Sequence, residues 1–274
     1  MTTCGRDAWA RGSHQKVLAY SFYGSTNSSV HQKKQYFLGI QENLALVPSL
    51  YGPGWSMRLY HDLAPGLPEQ QDLCGLACSS PHLDLCYVRE LPGPANTNVS
   101  SMFPMNWRFL PTLDEQVDLF LCRDLDSRIS SREVAAVAEW EEGGRPVHSM
   151  RDHPAHKVPL LGAAWGARLT QQNLRNKWTK SWTKMLADPL CWRGRGDKGP
   201  DQELLSRHVW PWARHMATQH DSYTCRSFPN SIGFPTERRD EKNNFVAAVV
   251  SEGEGRLWKV CPKKCRRRPE WEHC

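Results

Sequence analysis

Two carboxylates with one residue between them close a short apolar run, Val117-Asp118-Leu119-Phe120-Leu121-Cys122-Arg123-Asp124-Leu125-Asp126. An apolar run bounded by polar residues reads as a buried strand. Residues i and i+2 of a strand share a side. Asp124 and Asp126 are therefore expected together at the strand's C-terminal end, where an open α/β sheet places its ligand crevice. Paired carboxylates there suit a hard divalent cation, Mn²⁺ or Mg²⁺, which takes oxygen ligands and shares them with a phosphate. The competing reading is a plain turn, since Asp bonds its own backbone after a strand and Asp-x-Asp is a short pattern.

Other residues have types suited to chemistry. Tyr20-Ser21-Phe22-Tyr23-Gly24 ends the first apolar run, and a glycine there permits close backbone approach. Arg123 offers a fork of donors for a phosphate or a sugar hydroxyl. Arg128 suits an ion pair with Glu133 or Asp126. His148, Arg151, Asp152, His153 and His156 crowd polar groups into a strand end and the loop after it. Asp201-Gln202 opens a helix, where free N–H groups meet anionic or hydroxyl oxygens. As a mere cap, Asp201 would contribute about 1 kcal/mol. His220-Asp221 follows the last helix, while His208 and His215 fit the ordinary structural or solvated histidine of a helix.

The elements that must position these groups are legible in outline. Strands are expected at 16–22, 56–61, 83–88, 117–121 and 146–150, the first followed by a turn at 24–27. Tyr36, Phe37, Ile40, Leu44 and Val47 recur at helical spacing before Pro48. Pro65, Pro68, Cys74 and Cys78 suggest a stapled loop or short helix, 91–101 a surface loop, and 102–110 a short aromatic helix. Ser130 with Glu133 is a capping-box pattern opening a helix whose inner stripe is Val134, Val137 and Ala138, ended by Gly143-Gly144. Leu174, Trp178, Trp182 and Met185 line one side of a helix over 169–186, and read as core rather than as a stacking platform. A further helix over 201–210 must break or restart at Pro211. Strands alternating with helices indicate a single α/β domain, a mainly parallel mixed sheet flanked by helices. It is expected over 16–232, after a tail at 1–15 and before a Cys-rich basic extension at 233–274.

The bulk numbers narrow the class. The 274 residues suffice for one sizeable domain. No stretch approaches the ~20 apolar residues of a membrane span. Met1-Thr2-Thr3-Cys4-Gly5-Arg6 holds no apolar signal region. A net charge of +6 fits an anionic substrate, and much of it sits at Lys259, Lys263, Lys264, Arg266, Arg267 and Arg268. Ten cysteines, clustered at 74/78/86 and 261/265/274, favour disulfides in an oxidising compartment, with zinc as the alternative. At least two of Cys261, Cys265 and Cys274 are expected to be bridged, one of them to a distant cysteine. Asn27-Ser28-Ser29 and Asn98-Val99-Ser100 are glycan acceptors if that compartment holds.

The ordered set Arg123-Asp124-Leu125-Asp126-Ser127-Arg128, Met150-Arg151-Asp152-His153-Pro154, Gly162-Ala163-Ala164-Trp165-Gly166 and Gly199-Pro200-Asp201-Gln202-Glu203 resembles a little-characterised group of GT-A-fold glycosyltransferases, over about residues 16–225. The resemblance implies a GT-A-like domain that moves a sugar from a nucleotide-sugar donor to a glycan, protein or lipid hydroxyl, with Mn²⁺ or Mg²⁺ as cofactor. It implies Asp126 as a metal ligand, Asp124 on the metal or the ribose, and His220 as the third ligand. Tyr20, Ser21, Tyr23, Gly24, Arg123, Asp124 and Arg151 would bind the donor. Asp201, Gln202 and Asp152 would face the transferred sugar, and Asp201-Gln202 favours retention at the anomeric carbon. A lumenal (Golgi or ER) or secreted setting follows from the resemblance and the cysteines. Gly162-Ala163-Ala164 departs from the pattern, which has a more glycine-rich turn. Two rivals are a secreted carbohydrate-binding protein on the same scaffold, and a nucleic-acid binder using the basic tail and the 12 tryptophans. Trp at helical core positions argues against the second, and no nucleic-acid partner is expected.

Overall fold

Seven strands form one mixed sheet: β1 Gln15–Phe22, β2 Trp55–His61, β3 Leu83–Tyr87, β4 Val117–Cys122, β5 Val147–Arg151, β6 Trp165–Arg168 and β7 Ala217–Asp221. Their order is β3-β2-β1-β4-β6-β5-β7, with β6 antiparallel to both neighbours and every other pair parallel. This computed structural model describes residues 2–24, 30–92, 97–238, 245–250 and 259–274. Asn27 and most of the turn expected at 24–27 lie outside the described residues, as does part of the 91–101 loop.

The central strands are apolar on both faces, as a sheet covered on both sides requires. In β1, Val17 and Ala19 pack into one core and Leu18 and Tyr20 into the other. In β4, Phe120 and Cys122 join the first core, and Leu119 and Leu121 the second. On the first side lie α5 (Gln172–Ala187) and a 3₁₀ segment, Pro104–Leu113. Trp178 and Trp182 are buried there, Trp178 stacked on Trp165 at 5.3 Å, so these tryptophans are core as expected. On the second side lie α2 (Val30–Leu46), α3 (Pro68–Ser79) and α4 (Ser131–Gly143). The Ser130 hydroxyl accepts from the Glu133 N–H at 3.2 Å, and Gly144 closes α4 in the left-handed region.

Several details differ from the sequence reading. The inner face of α4 is Glu133, Ala136, Val137 and Trp140, while Ala138 is exposed. Glu133 turns inward because it pairs with buried Arg123. Of the two alternatives for the segment with Cys74 and Cys78 the helix holds, twelve residues long, and the staple does not, since both thiols are free. The helix expected at 201–210 is α6 (Pro200–Leu204) followed by a π turn, and a new helix, α7 (Trp210–Ala213), carries Pro211 in its first turn, in keeping with the break or restart expected there. Strands β6 and β7 escaped notice: β6 is only four residues long, and β7 reads Ala-Thr-Gln-His-Asp. Its polar side chains are buried because Arg151 of β5 meets both Gln219 (2.9 Å) and Asp221 (2.7 Å).

Both ends are built into the domain. The Thr2 hydroxyl donates to Asp114, Ala8 of α1 (Arg6–Ala10) is buried, and Cys4 is bridged to Cys86. The C-terminal segment carries the bridges Cys225–Cys265 and Cys261–Cys274, so all three tail cysteines are oxidised and one reaches a cysteine far away in sequence, as expected. No helix among the described residues is long and apolar enough to cross a membrane.

Candidate functional site

β4 ends at Cys122, and the chain leaves the sheet through a turn carrying both carboxylates. The aspartates are therefore loop residues, and packing holds them rather than strand geometry. Asn43 of α2 clamps the loop, donating to the Ser127 carbonyl (2.9 Å) and accepting from the Ile129 N–H (3.2 Å). Gly39 of α2 lets the helix reach it: a Cβ there would stand 2.0 Å from the Leu125 carbonyl oxygen. From outside, the Val250 N–H donates to the Asp126 carbonyl (2.8 Å). Arg128 pairs with Glu42 and the Leu125 carbonyl, not with Glu133 or Asp126.

Asp124 and Asp126 open onto two adjoining recesses. One, about 370 Å³, also reaches Arg108, His156, Gly162, Asp201 and Gln202. The other, about 280 Å³, is walled by Ser21, Phe22, Tyr23, Tyr36, Met105 and Arg195. Tyr23, Met105 and the two aspartates belong to both. The carboxyl of Asp126 is pushed up to about 6, by burial first and by the charge of Asp124 second. It forms no ion pair with any described residue. Two close oxygen donors, one of them holding its proton abnormally tightly, fit a hard divalent cation that would replace the proton.

Arg108 is the centre of the larger recess. It is 2 % exposed and pairs with Asp124 and, at 2.9 Å, with Asp201. Gly199 holds the N-cap position of α6, so Asp201 lies inside the first turn and its carboxylate is spent on Arg108 rather than on a cap. Burial pushes the Asp201 carboxyl up, against the pull of Arg108. Gly162 makes room for the pair: a Cβ on it would lie 2.1 Å from the Asp201 carboxylate and 2.8 Å from an Arg108 nitrogen. Gly162→Ala should thus cost about 1–3 kcal/mol, the range for overpacking a filled interior. A denaturant titration checks this, and an unchanged midpoint would mean the pair has slack.

His156 adds a donor of fixed sense. The Asp152 N–H donates to its Nδ1 at 3.0 Å, and burial lowers the imidazole to about 4. The neutral ring therefore carries its proton on Nε2.

Five expected site residues face elsewhere. Tyr20 is wholly buried in the second core. Arg123 is 2 % exposed and held by Glu133 (2.6 Å) and the Cys122 carbonyl (2.6 Å), leaving no fork for a phosphate. Arg151 is committed to Asp221, Gln219 and the Pro159 carbonyl. Asp152 is fully buried between Arg132 (2.8 Å) and Arg238 (2.6 Å), and so cannot touch a sugar. His220 is fully buried in β7, with Nδ1 against His148 Nε2 (2.8 Å) and Nε2 against Glu139 (3.1 Å), so neither nitrogen is left for a metal at Asp126. Arg123, Arg151, Asp152 and His220 each lie inside and meet partners there, as burial demands. Gly24 is exposed, its carbonyl accepting from Arg195 (2.9 Å).

Arg108, Tyr36, Met105 and Arg195 were missed. Arg108 carried a signal, being the lone charge within the aromatic run 102–110. Arg195 sits in a Gly- and Arg-rich stretch that gives no cue to its partner, Asp62.

No protein-family model matches the chain, and no curated protein does. Among solved structures it is similar to Staphylococcus aureus TarS. The crystal structure of TarS 1–349 is 12 % identical with a TM-score of 0.40, over 71 % of this chain and 55 % of that one. The same fragment in complex with UDP is 13 % identical with a TM-score of 0.38, over 69 % and 53 %. The chain thus spans about half the length of the TarS fragment it matches.

Proposed function

We propose that the protein is a metal-dependent glycosyltransferase that moves a hexose or pentose from a nucleotide-sugar to a hydroxyl acceptor in an oxidising, lumenal or extracellular compartment. One observation carries the reading: Asp124 and Asp126, after the central strand, converge with Asp201-Gln202, from a distant helix, on one cleft around a buried arginine. The resemblance of these same motifs to GT-A enzymes points the same way.

The two recesses divide the work. The smaller one, with Phe22, Tyr23, Tyr36 and Met105, offers apolar and aromatic surface for a nucleobase. The larger one gathers the polar groups that a sugar needs. Asp124 and Asp126 would hold the cation, which supplies positive charge for the departing diphosphate. Arg108 holds Asp124 and Asp201 at fixed positions. Gln202 and the Nε2–H of His156 supply donors for sugar oxygens, and Asp201 faces the same space.

The test separates binding from turnover. UDP- and GDP-sugars are screened by thermal shift with Mn²⁺ and with EDTA, since a ligand of the folded state must raise its stability. With a donor in hand, Asp201→Asn should leave nucleotide affinity within a few-fold and lower donor turnover about a hundredfold or more, as for a group acting mainly in the transition state. Wild-type turnover in Asp201→Asn would reduce this residue to a partner of Arg108.

A second reading is a carbohydrate-binding protein without turnover. The observation in its favour is that Arg108 already pairs with both Asp124 and Asp201. Sugar binding equal in EDTA and Mn²⁺, with no nucleotide release, would establish it.

A further inference from the structure

Away from the cleft, a second cavity of about 340 Å³ lies between the 154–157 loop, the turn after β7 and the C-terminal segment. Among the described residues its charged lining is one-signed: Lys157, Arg226 and Lys259 contribute, and no carboxylate does. All three are exposed, and none forms an ion pair with a described residue. Cations gathered without counter-charge repel one another and raise the local concentration of anions. Apolar walls stand beside them, in Tyr223 and Phe228.

The cavity is also pre-formed. Arg226 follows Cys225, which is bridged to Cys265, and Val260 and Pro262 flank Cys261, which is bridged to Cys274. Walls held by two disulfides lose little freedom when a ligand enters. One loop joins this cavity to the cleft: His156 lines the cleft, and Lys157, the next residue, lines the cavity. The Thr224 hydroxyl, which donates to Asp221 at 2.6 Å, lies 3.4 Å from the His156 carbonyl and so packs the cavity wall against the loop.

We infer that this cavity binds the acidic group of a sugar, a sulfate ester or a uronate carboxylate, and that the acceptor is an anionic glycan. Aromatic faces beside cations suit a sugar ring bearing a negative group, and the volume is that of a small-ligand pocket rather than of a nucleic-acid groove. The acceptor role rests on the glycosyltransferase reading; the binding of an acidic sugar does not.

The experiment is calorimetry with a chondroitin sulfate tetrasaccharide, its desulfated form, a desulfated and carboxyl-reduced form, and a single-stranded oligonucleotide of similar charge. The sulfated sugar should bind the wild-type protein and the neutral one should not; the desulfated form shows whether the carboxylate suffices. The combined variant Lys157→Gln, Arg226→Gln, Lys259→Gln should lose about tenfold or more in affinity, with its melting temperature and UDP–Mn²⁺ binding unchanged. Arg226→Gln alone, on an exposed turn, serves if the triple variant does not fold. Acidic-sugar binding without UDP binding leaves this site standing and removes the glycosyltransferase reading. Equal affinity in the variant, binding of the neutral sugar as tightly as the acidic one, tighter binding of the oligonucleotide, or no binding at all overturns the inference.

Discussion

Asp126→Asn should abolish cation-dependent nucleotide binding, lowering UDP affinity in Mn²⁺ by about a hundredfold or more, the scale on which a fixed charge at a phosphate site acts. It should do so without destabilising the metal-free protein. The Asp126 carboxyl is pushed up to about 6 from 3.8, so its ionised form is disfavoured in the folded state. The sign follows: the wild-type chain is most favoured below the unfolded value and loses stability as pH rises through about 6. At neutral pH and in EDTA, asparagine removes that burden, and stability should hold or rise by about 1–2 kcal/mol. Function lost while stability is kept or gained marks a group placed for a ligand. Calorimetry with UDP and Mn²⁺, beside urea titrations at pH 4.5 and 7.5, measures both halves. Retained affinity would remove the metal site, and a strong loss of stability at pH 7.5 would make Asp126 structural.

Asp152→Asn should do the opposite, unfolding the protein readily. The wild-type carboxylate, fully buried, accepts from Arg132 of α4, from Arg238 and from the Ser222 hydroxyl, and from the Val246 N–H at 3.0 Å. It fastens β5, α4 and the C-terminal segment at one point. Neutralising it strands two buried guanidinium groups, which costs about 3–5 kcal/mol. Its pKa lies below the ordinary carboxylate value: burial opposes this, but Arg132 and Arg238 outweigh burial. That stability is present above the unfolded value and is lost as pH falls through the folded one. The gap between wild type and variant should therefore be full at pH 7 and shrink in strong acid. Urea titrations from pH 7 to pH 3 follow it; a loss under 1 kcal/mol at pH 7 would contradict the anchoring role.

Helices and the first strands were legible because they rest on local signals. Apolar runs gave β1 to β4, Ser130 and Glu133 marked the start of α4, and Leu174, Trp178, Trp182 and Met185 declared a buried helical face. Strand β7 carries no such signal, because its polar residues are buried through partners on other elements, among them Arg151 and His148 of β5 and Glu139 of α4. The bridging of the tail cysteines was foreseeable from a segment too poor in apolar residues to hold itself. Their pairing was not, since Cys225 stands 40 residues from Cys265.

The sequence alone determined that an acidic pair follows a central apolar run and that Asp201-Gln202 opens a late helix. Only the tertiary structure decided which polar residues face a cleft and which lie inside. Arg123 and Arg108 look alike as residue types; one is enclosed with Glu133, and the other stands between Asp124 and Asp201 at the cleft. Asp152 and Asp201 both suited a sugar, yet Asp152 is closed off by two arginines from separate segments. The reason is physical. A charged side chain is compatible with either place, and the one it takes depends on counter-charges that distant segments bring to it.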